Sequence, residues 1–386
     1  MIPNSNLEPE RESRLRAARR IVVKLGTSTV TGAAGDVCAE RVEPIVASIS
    51  ALRNAGRQIV MVSSGAVGLG RAWLDLHQSR LRDTVTKQAC AAVGQSLLME
   101  AYKRMFGIHG IKVAQVLLTE EDFTVWQRYS NLQHTIERLL QFGVIPIINE
   151  NDTVSTAELA LIEQGRKAVF SDNDRLAALV MSGLEADALV LLTNVDGLLR
   201  KTAAGTEVIS LVNEITPELK GMAAGPSGGG RGGMITKIEA AEIAMCCGGT
   251  AVIANGQTPG VLERIFAGER LGTAFLPLKR IRGKRRWITF AADVQGRIIV
   301  DAGAQSALTN GKASLLTSGI VRIESHFAPK DVVSIVGRDG REFARGIASC
   351  SSAEAEESLS KRNAQTGGGR GGASRVLVSR DNIILL

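Results

Sequence analysis

The sequence predicts an α/β fold in which a mostly parallel sheet is sandwiched by helices and followed by a small β-rich domain. From Ile21 to Ala254, aliphatic runs of strand length alternate with helix-length segments. Each run is continuously apolar rather than alternating, the pattern of strands buried on both faces of a parallel sheet. After Arg286 the chain changes to short segments punctuated by Gly296, Gly303, Gly311, Gly319 and Gly340, which reads as a separate β-rich unit. A chain of 386 residues also exceeds the size at which one hydrophobic core stops growing, so two domains are expected.

In chain order, the strands read as Ile21–Leu25, Ile59–Val62, Val113–Leu118, Val144–Ile148, Ala188–Leu192 and Ala251–Ala254. Helical periodicity lies between most of them, over Glu40–Asn54, Thr84–Tyr102, Asn131–Gln141, Asp174–Met181 and Met234–Cys246. The β-rich part reads as Trp287–Phe290, Arg297–Val300, Gly319–Ile323, Val332–Val336 and Arg375–Val378. These elements divide the chain into an N-terminal extension (1–17), an α/β domain (18–278), a basic linker (279–286) and the β-rich domain (287–386). Ligands of a parallel sheet bind outside the carboxyl ends of its strands, so the loops after those ends are the first place to look for chemistry.

Composition narrows the class. No apolar run is long enough to span a membrane, and Met1–Arg20 mixes Glu8, Glu10 and Glu12 with five arginines, so a cytoplasmic protein, neither secreted nor membrane-spanning, is expected. The cysteines Cys38, Cys90, Cys246, Cys247 and Cys350 are odd in number and never spaced C-x-x-C, which gives no support to a disulfide framework or zinc site. The histidines His77, His109, His134 and His326 are scattered. Residues 1–278 carry 28 basic and 29 acidic side chains and residues 279–386 carry 18 and 10, so the net charge of +7 (46 minus 39) resides in the C-terminal part. Six of those cations form one run: Lys279, Arg280, Arg282, Lys284, Arg285 and Arg286. It reads as a solvated linker or as a contact for phosphate backbones. The hexapeptide GGGRGG occurs at Gly228–Gly233 and again at Gly367–Gly372, the second copy reading as a flexible loop or an RGG-type nucleic-acid contact.

Three glycine loops are suited to an anion. Lys24–Ser28 and Ser63–Gly68 place small hydroxyl and glycine residues just beyond strand ends, where backbone N–H groups approach an anion closely. Lys24 at a buried strand end requires an anionic partner, either a ligand phosphate or a protein carboxylate. The third loop, Gly228–Gly233, leads into a helix start at Met234, Ile235, Thr236 and Lys237, and Lys237 reads either as returning to a loop-bound phosphate or as an exposed helix lysine. No G-x-x-x-x-G-K-[ST] occurs, so a P-loop is excluded. Two Asx-rich clusters, Asn149–Asp152 and Ser171–Asp174, gather carboxylates and amides at the ligand edge of the sheet. They serve either as turns and helix caps or to bind an amino acid, orient lysines or hold Mg²⁺ through oxygen ligands.

The set KLGTS (Lys24–Ser28), SSGAVGLG (Ser63–Gly70), IPIINEND (Ile145–Asp152), SDNDRLAALV (Ser171–Val180), LLTNVDGL (Leu191–Leu198) and GRGGMITK (Gly230–Lys237) resembles the glutamate 5-kinase family of the amino acid kinase superfamily. Trp287–Leu308, Ser314–Ile320 and Phe343–Ser352 resemble the PUA domain appended to many bacterial members. The resemblance implies an amino acid kinase fold followed by a PUA domain, and ATP-dependent phosphorylation of the γ-carboxylate of L-glutamate, the first step of proline synthesis. It implies catalytic roles for Lys24, Lys237 and Asp174, the lysines on the ATP phosphates and Asp174 orienting them. It places Ser64, Asn149, Asp152 and Asn173 on glutamate. Thr193, Asn194 and the segment Arg231, Gly232, Gly233, Met234, Ile235, Thr236 would line the nucleotide site. Mg²⁺ is expected on the ATP oxygens, with Asp172 or Asp174 suspected as ligand. Proline as feedback inhibitor, a homo-oligomer and RNA at the PUA-like domain are the further partners implied.

The chemistry agrees with this residue set. A γ-carboxylate is already an ionised nucleophile at neutral pH, so positioning and charge neutralisation suffice and no histidine base is needed. Departures from the family pattern fall on the nucleotide side: Asn194 stands where Asp is usual, Arg231 where Thr is common, and Met222–Gly229 is lengthened. In the C-terminal part, Thr317, Ser318 and His326 depart from the usual pattern. The alternatives are another superfamily member, such as acetylglutamate kinase, aspartokinase or uridylate kinase, or an RNA-binding regulator built on the PUA-like domain. NEND and the PUA-like tail argue against the first, and retention of Lys24, Asp174 and Lys237 against the second.

Overall fold

The computed structural model describes residues 7–77, 83–154, 173–202, 205–223, 233–278, 283–311, 313–364 and 375–386. The chain divides into two compact units, Met1–Phe123 with Gln127–Ile281, and Thr124–Trp126 with Arg282–Leu386.

The first unit is built on strands β1 (Arg20–Leu25), β2 (Gln58–Ser63), β3 (Val113–Leu118), β4 (Ile145–Glu150), β5 (Ala188–Thr193), β6 (Leu199–Thr202), β7 (Gly205–Val208), β8 (Leu211–Val212), β9 (Thr250–Asn255) and β10 (Thr273–Phe275). Eight of them form one sheet in the order β3-β4-β2-β1-β5-β9-β10-β8, while β6 and β7 pair as a separate hairpin. Within the sheet β3, β4, β2, β1, β5 and β9 run parallel, and β10 reverses against β9. The chain leaves β1 in one direction to β2 and returns on the other side at β5, so the strand order switches direction beside β1. Such a switch opens a crevice at the carboxyl ends of the strands.

Both faces of this sheet are covered. Ile21, Val23, Leu25, Ile59, Met61, Val190 and Leu192 point to one face and form a core with residues of the helices Glu8–Ala17, Ala39–Asn54, Thr84–Ile108 and Val261–Phe266. Alternation along β1 sends Val22 and Lys24 to the other face, where the helix Asn173–Leu184 packs on β1 and against the helix Met234–Cys246. The segment expected as an extension is thus partly a docked helix: Leu15 belongs to the core, and buried Arg11 donates to the carbonyls of Glu269 (2.7 Å) and Leu271 (3.1 Å).

The second unit carries a six-stranded sheet of β11 (Val294–Val300), β12 (Leu315–Leu316), β13 (Ile320–Ile323), β14 (Val332–Val336), β15 (Glu342–Ala348) and β16 (Val376–Leu385), in the order β12-β16-β15-β14-β11-β13. Its core is formed by Ile298, Val300, Leu315, Val333, Ile335 and Leu377 with Cys350 and Leu308. Trp287–Phe290, expected as a strand, is instead the end of a helix, Gly283–Phe290. Four residues are too few to separate a period of two from one of 3.6, and the helix includes the basic residues before them. Arg286 is only 2% exposed, which corrects the expectation of a wholly solvated linker at that position.

Candidate active site

Asp174 lies in the first turn of the helix Asn173–Leu184 and is fully buried. Its Oδ1 is 2.7 Å from Lys24 Nζ and its Oδ2 is 2.9 Å from Lys237 Nζ. The Thr236 hydroxyl lies 3.0 Å from the same Oδ2 and 2.9 Å from the Gly233 carbonyl. Of the two partners open to Lys24, the structure supplies the protein carboxylate, and Lys237 is 8% exposed rather than a surface lysine. Burial opposes ionisation of Asp174, but the attraction of Lys24 and Lys237 outweighs it and holds its carboxyl below the usual carboxylate range. Two ammonium groups share one carboxylate, so the cluster keeps one net positive charge at the carboxyl end of β1. That charge and the start of the helix at Met234, whose cap residue Gly233 offers no side chain, make an anion-stabilising corner.

Beside this corner lies a cavity of about 220 Å³ lined by Thr27, Ser64–Gly68, Asn149, Glu150, Asp152 and Asn173. Asn173 Nδ2 donates to Ser64 Oγ (2.6 Å) and to Asn149 Oδ1 (3.0 Å). The Ser64–Gly68 turn needs Gly65, whose φ of +115° is a left-handed conformation in which a side chain is strained. The cavity therefore offers hydroxyl, amide and carboxylate groups, a set suited to a small zwitterion. Thr193 is buried at the end of β5, and Asn194 follows it, exposed.

The structure thus gathers Lys24, Asp174 and Lys237 in one cluster with Thr236, and Ser64, Asn149, Asp152 and Asn173 around one cavity. Gly233, Met234 and Ile235 stand at the start of the Lys237 helix. Arg231, Gly232, Asp172 and the segment 224–229 lie outside the described residues. Sequence reasoning missed Gln95, which receives a hydrogen bond from Asn149 Nδ2 (3.0 Å), and Tyr102, which bonds Ser63 Oγ (2.7 Å). Their only signal is spacing: Gln95, Leu98 and Tyr102 recur at helical intervals as one buried stripe.

Residues 19–255 match the amino acid kinase family and residues 296–366 match the PUA domain. The chain belongs to the amino acid kinase family. A glutamate 5-kinase of Caldanaerobacter subterraneus subsp. tengcongensis is 45% identical over 88% of this chain and 90% of its own. One from Myxococcus xanthus is 46% identical over 86% and 87%, and one from Moorella thermoacetica 42% identical over 98% and 99%. As an amino acid kinase, the protein is a phosphotransferase with ATP as co-substrate, and its C-terminal unit carries a PUA domain. Among the described residues, no helix is long and apolar enough to cross a membrane.

Proposed function

We propose that this amino acid kinase transfers the γ-phosphoryl group of ATP to the γ-carboxylate of L-glutamate, giving γ-glutamyl phosphate and ADP. The observation that carries the reading is the adjacency of two sites. A cavity with Ser64, Asn149, Asp152 and Asn173 opens at the same sheet edge as the cationic Lys24–Asp174–Lys237 cluster. Relatives named glutamate 5-kinase, similar over most of their length, support the same substrate. Acetylglutamate kinase and a pure RNA-binding regulator are not favoured.

In this reading Asp152 and Asn173 receive the substrate ammonium while the Ser64 hydroxyl donates to a carboxylate. A γ-carboxylate oxygen attacks the terminal phosphorus, a new P–O bond forms, and the bond to the β-phosphate oxygen breaks with its electron pair leaving on ADP. No proton moves. Lys24 and Lys237 neutralise charge on the phosphoryl oxygens and on the leaving group, and Asp174 fixes the direction of both ammonium groups. Thr193, Asn194 and the segment Arg231–Thr236 are proposed to line the nucleotide site.

Mg²⁺ brought with ATP would supply further charge neutralisation at the phosphate oxygens. The described residues contain no cluster of three His, Cys, Asp or Glu side chains suited to a metal, and both oxygens of Asp174 face lysine or threonine donors. Asp174 is therefore a poor ligand for the ion. The same family resemblance supports a cytoplasmic homo-oligomer inhibited by proline, with RNA at the PUA domain. Light scattering and a proline titration test the middle two.

The decisive assay supplies Mg-ATP, hydroxylamine and either L-glutamate or N-acetylglutamate. γ-Glutamyl hydroxamate should form from glutamate. Equal or better turnover of N-acetylglutamate overturns the assignment, because a free α-amino group near Asp152 would then be irrelevant.

A further inference from the structure

Gln95 lies in the middle of the helix Thr84–Ile108, is 7% exposed and does not line the cavity. Its Oε1 accepts the bond from Asn149 Nδ2, and Asn149 Oδ1 in turn accepts from Asn173 Nδ2. Asn173 Nδ2 also faces two oxygens, Ser64 Oγ at 2.6 Å and the Ser63 carbonyl at 3.5 Å. The carbonyl can only accept, so it favours the orientation in which the Asn173 nitrogen points inward. Each amide in this row then has a direction set by its neighbour. Asn149 must turn its oxygen to Asn173 and its nitrogen toward the helix, where a buried N–H needs an acceptor. Gln95 Oε1 is that acceptor. Gln95 Nε2, by contrast, is buried with no hydrogen-bond partner among the described residues, so the residue is held in place by its oxygen and not by a balanced pair of bonds.

We propose that Gln95 is a positioning residue for the acceptor cavity: by accepting from Asn149 Nδ2 it holds the Asn149 and Asn173 amides in the direction that the Ser63 carbonyl sets, so that Asn173 Oδ1 and the Ser64 O–H are the groups left for the ligand. The polarity matters because an acceptor facing the cavity suits an ammonium, whereas an amide NH₂ in its place repels one. Gln95 thereby favours an α-amino acid over a dicarboxylate of the same length lacking the amine. This inference rests on the glutamate reading of the cavity.

The test compares the wild-type protein with Gln95→Met, which keeps volume but loses the acceptor, and Gln95→Glu, which keeps an acceptor oxygen. ATP turnover is measured with L-glutamate and with glutarate. For Gln95→Met the KM for glutamate should rise on the order of tenfold, the scale of one lost hydrogen bond. In the same variant kcat and the KM for ATP should stay within about twofold, and the preference for glutamate over glutarate should narrow. Gln95→Glu should restore the wild-type preference. If Gln95→Met does not fold, Gln95→Asn serves instead, since it withdraws the amide by one methylene without removing it. An unchanged glutamate KM, or a parallel loss of kcat, ATP affinity and melting temperature, overturns the inference alone. A wild-type protein that does not phosphorylate glutamate overturns the glutamate reading and this inference with it.

Discussion

Gly70 and Gly94 meet backbone to backbone where the helix Ala66–Trp73 crosses the helix Thr84–Ile108. A Cβ on Gly94 would lie 2.5 Å from the Gly70 nitrogen and 1.8 Å from the Ala66 carbonyl, and one on Gly70 would lie 1.9 Å from the Cys90 carbonyl. These neighbours are main chain and cannot turn aside as a flexible side chain does. The crossing therefore locks the helix that follows the Ser64–Gly65 turn against the helix that carries Gln95 and Tyr102.

Gly94→Ala should accordingly force the two helices apart. We expect a loss of at least about 2 kcal/mol, within the range for overpacking a tight contact, read as a lower urea midpoint. The gain in helix propensity from Gly to Ala, about 1 kcal/mol, works against this and does not cancel it. Glutamate KM should rise more than ATP KM, since one displaced helix follows directly on the Ser64–Gly65 turn and the other carries Gln95.

Asp174 supplies the only carboxylate described between two buried ammonium groups. Asp174→Asn leaves both lysines uncompensated and should cost about 3–5 kcal/mol. The pH dependence follows from the depressed carboxyl. Its stabilisation is present above the unfolded carboxyl value, near 3.9, and is lost as the pH falls through the lower folded value. Urea midpoints of wild type and variant should thus differ by a constant amount from about pH 5 to 8, and the difference should shrink below about pH 4.

In the proposed reaction Lys237 neutralises the charge that develops on the phosphoryl group. Lys237→Met should lower kcat by ~100-fold or more, the scale of losing one positioned donor, while Asp152→Asn should act first on the KM for glutamate. Steady-state kinetics on folded variants separate the two, and a near-normal kcat for Lys237→Met contradicts the assigned role.

The sheet was legible because its strands are continuous aliphatic runs: five of the six expected in the first unit fall inside the observed ones, and Val144–Ile148 overlaps Ile145–Glu150. The hairpin of β6 and β7 was not legible, since all eight of its residues are exposed and no buried face imposes an alternation. The helix Ser352–Ala364 was missed in a stretch of small, polar and charged residues that resembles a loop. At the site, residue chemistry showed that Lys24 needed an anion but left its identity open, because the choice of Asp174 depends on how two distant segments fold together. Gln95 left no chemical trace at all: a glutamine within a helix reads as solvated until the neighbouring strand end is seen to bury it.

The C-terminal part of the chain carries the charge that the proposed phosphoryl-transfer residues do not use. Residues 279–386 hold 18 basic against 10 acidic side chains, and the run from Lys279 to Arg286 supplies six of the 18. Arg286 is buried, so a contact to a phosphate backbone falls to the others. PUA domains bind RNA in general, and a phosphate backbone releases counterions when cations replace them, which makes binding steeply salt-dependent. The full-length protein should bind a structured RNA at about 50 mM salt and lose most of that affinity by about 200 mM, measured by fluorescence anisotropy. Replacing Lys279, Arg280 and Arg282 by Gln should flatten the plot of log affinity against log salt while leaving glutamate turnover unchanged, because every residue assigned to the chemistry precedes Lys279. Arg286 is kept in that variant, since its removal would disturb packing and obscure the charge effect. A salt slope unaltered by the three substitutions would move the contact from this run to other cations of residues 287–386, and absence of binding at low salt would leave the C-terminal unit a role in stability or assembly.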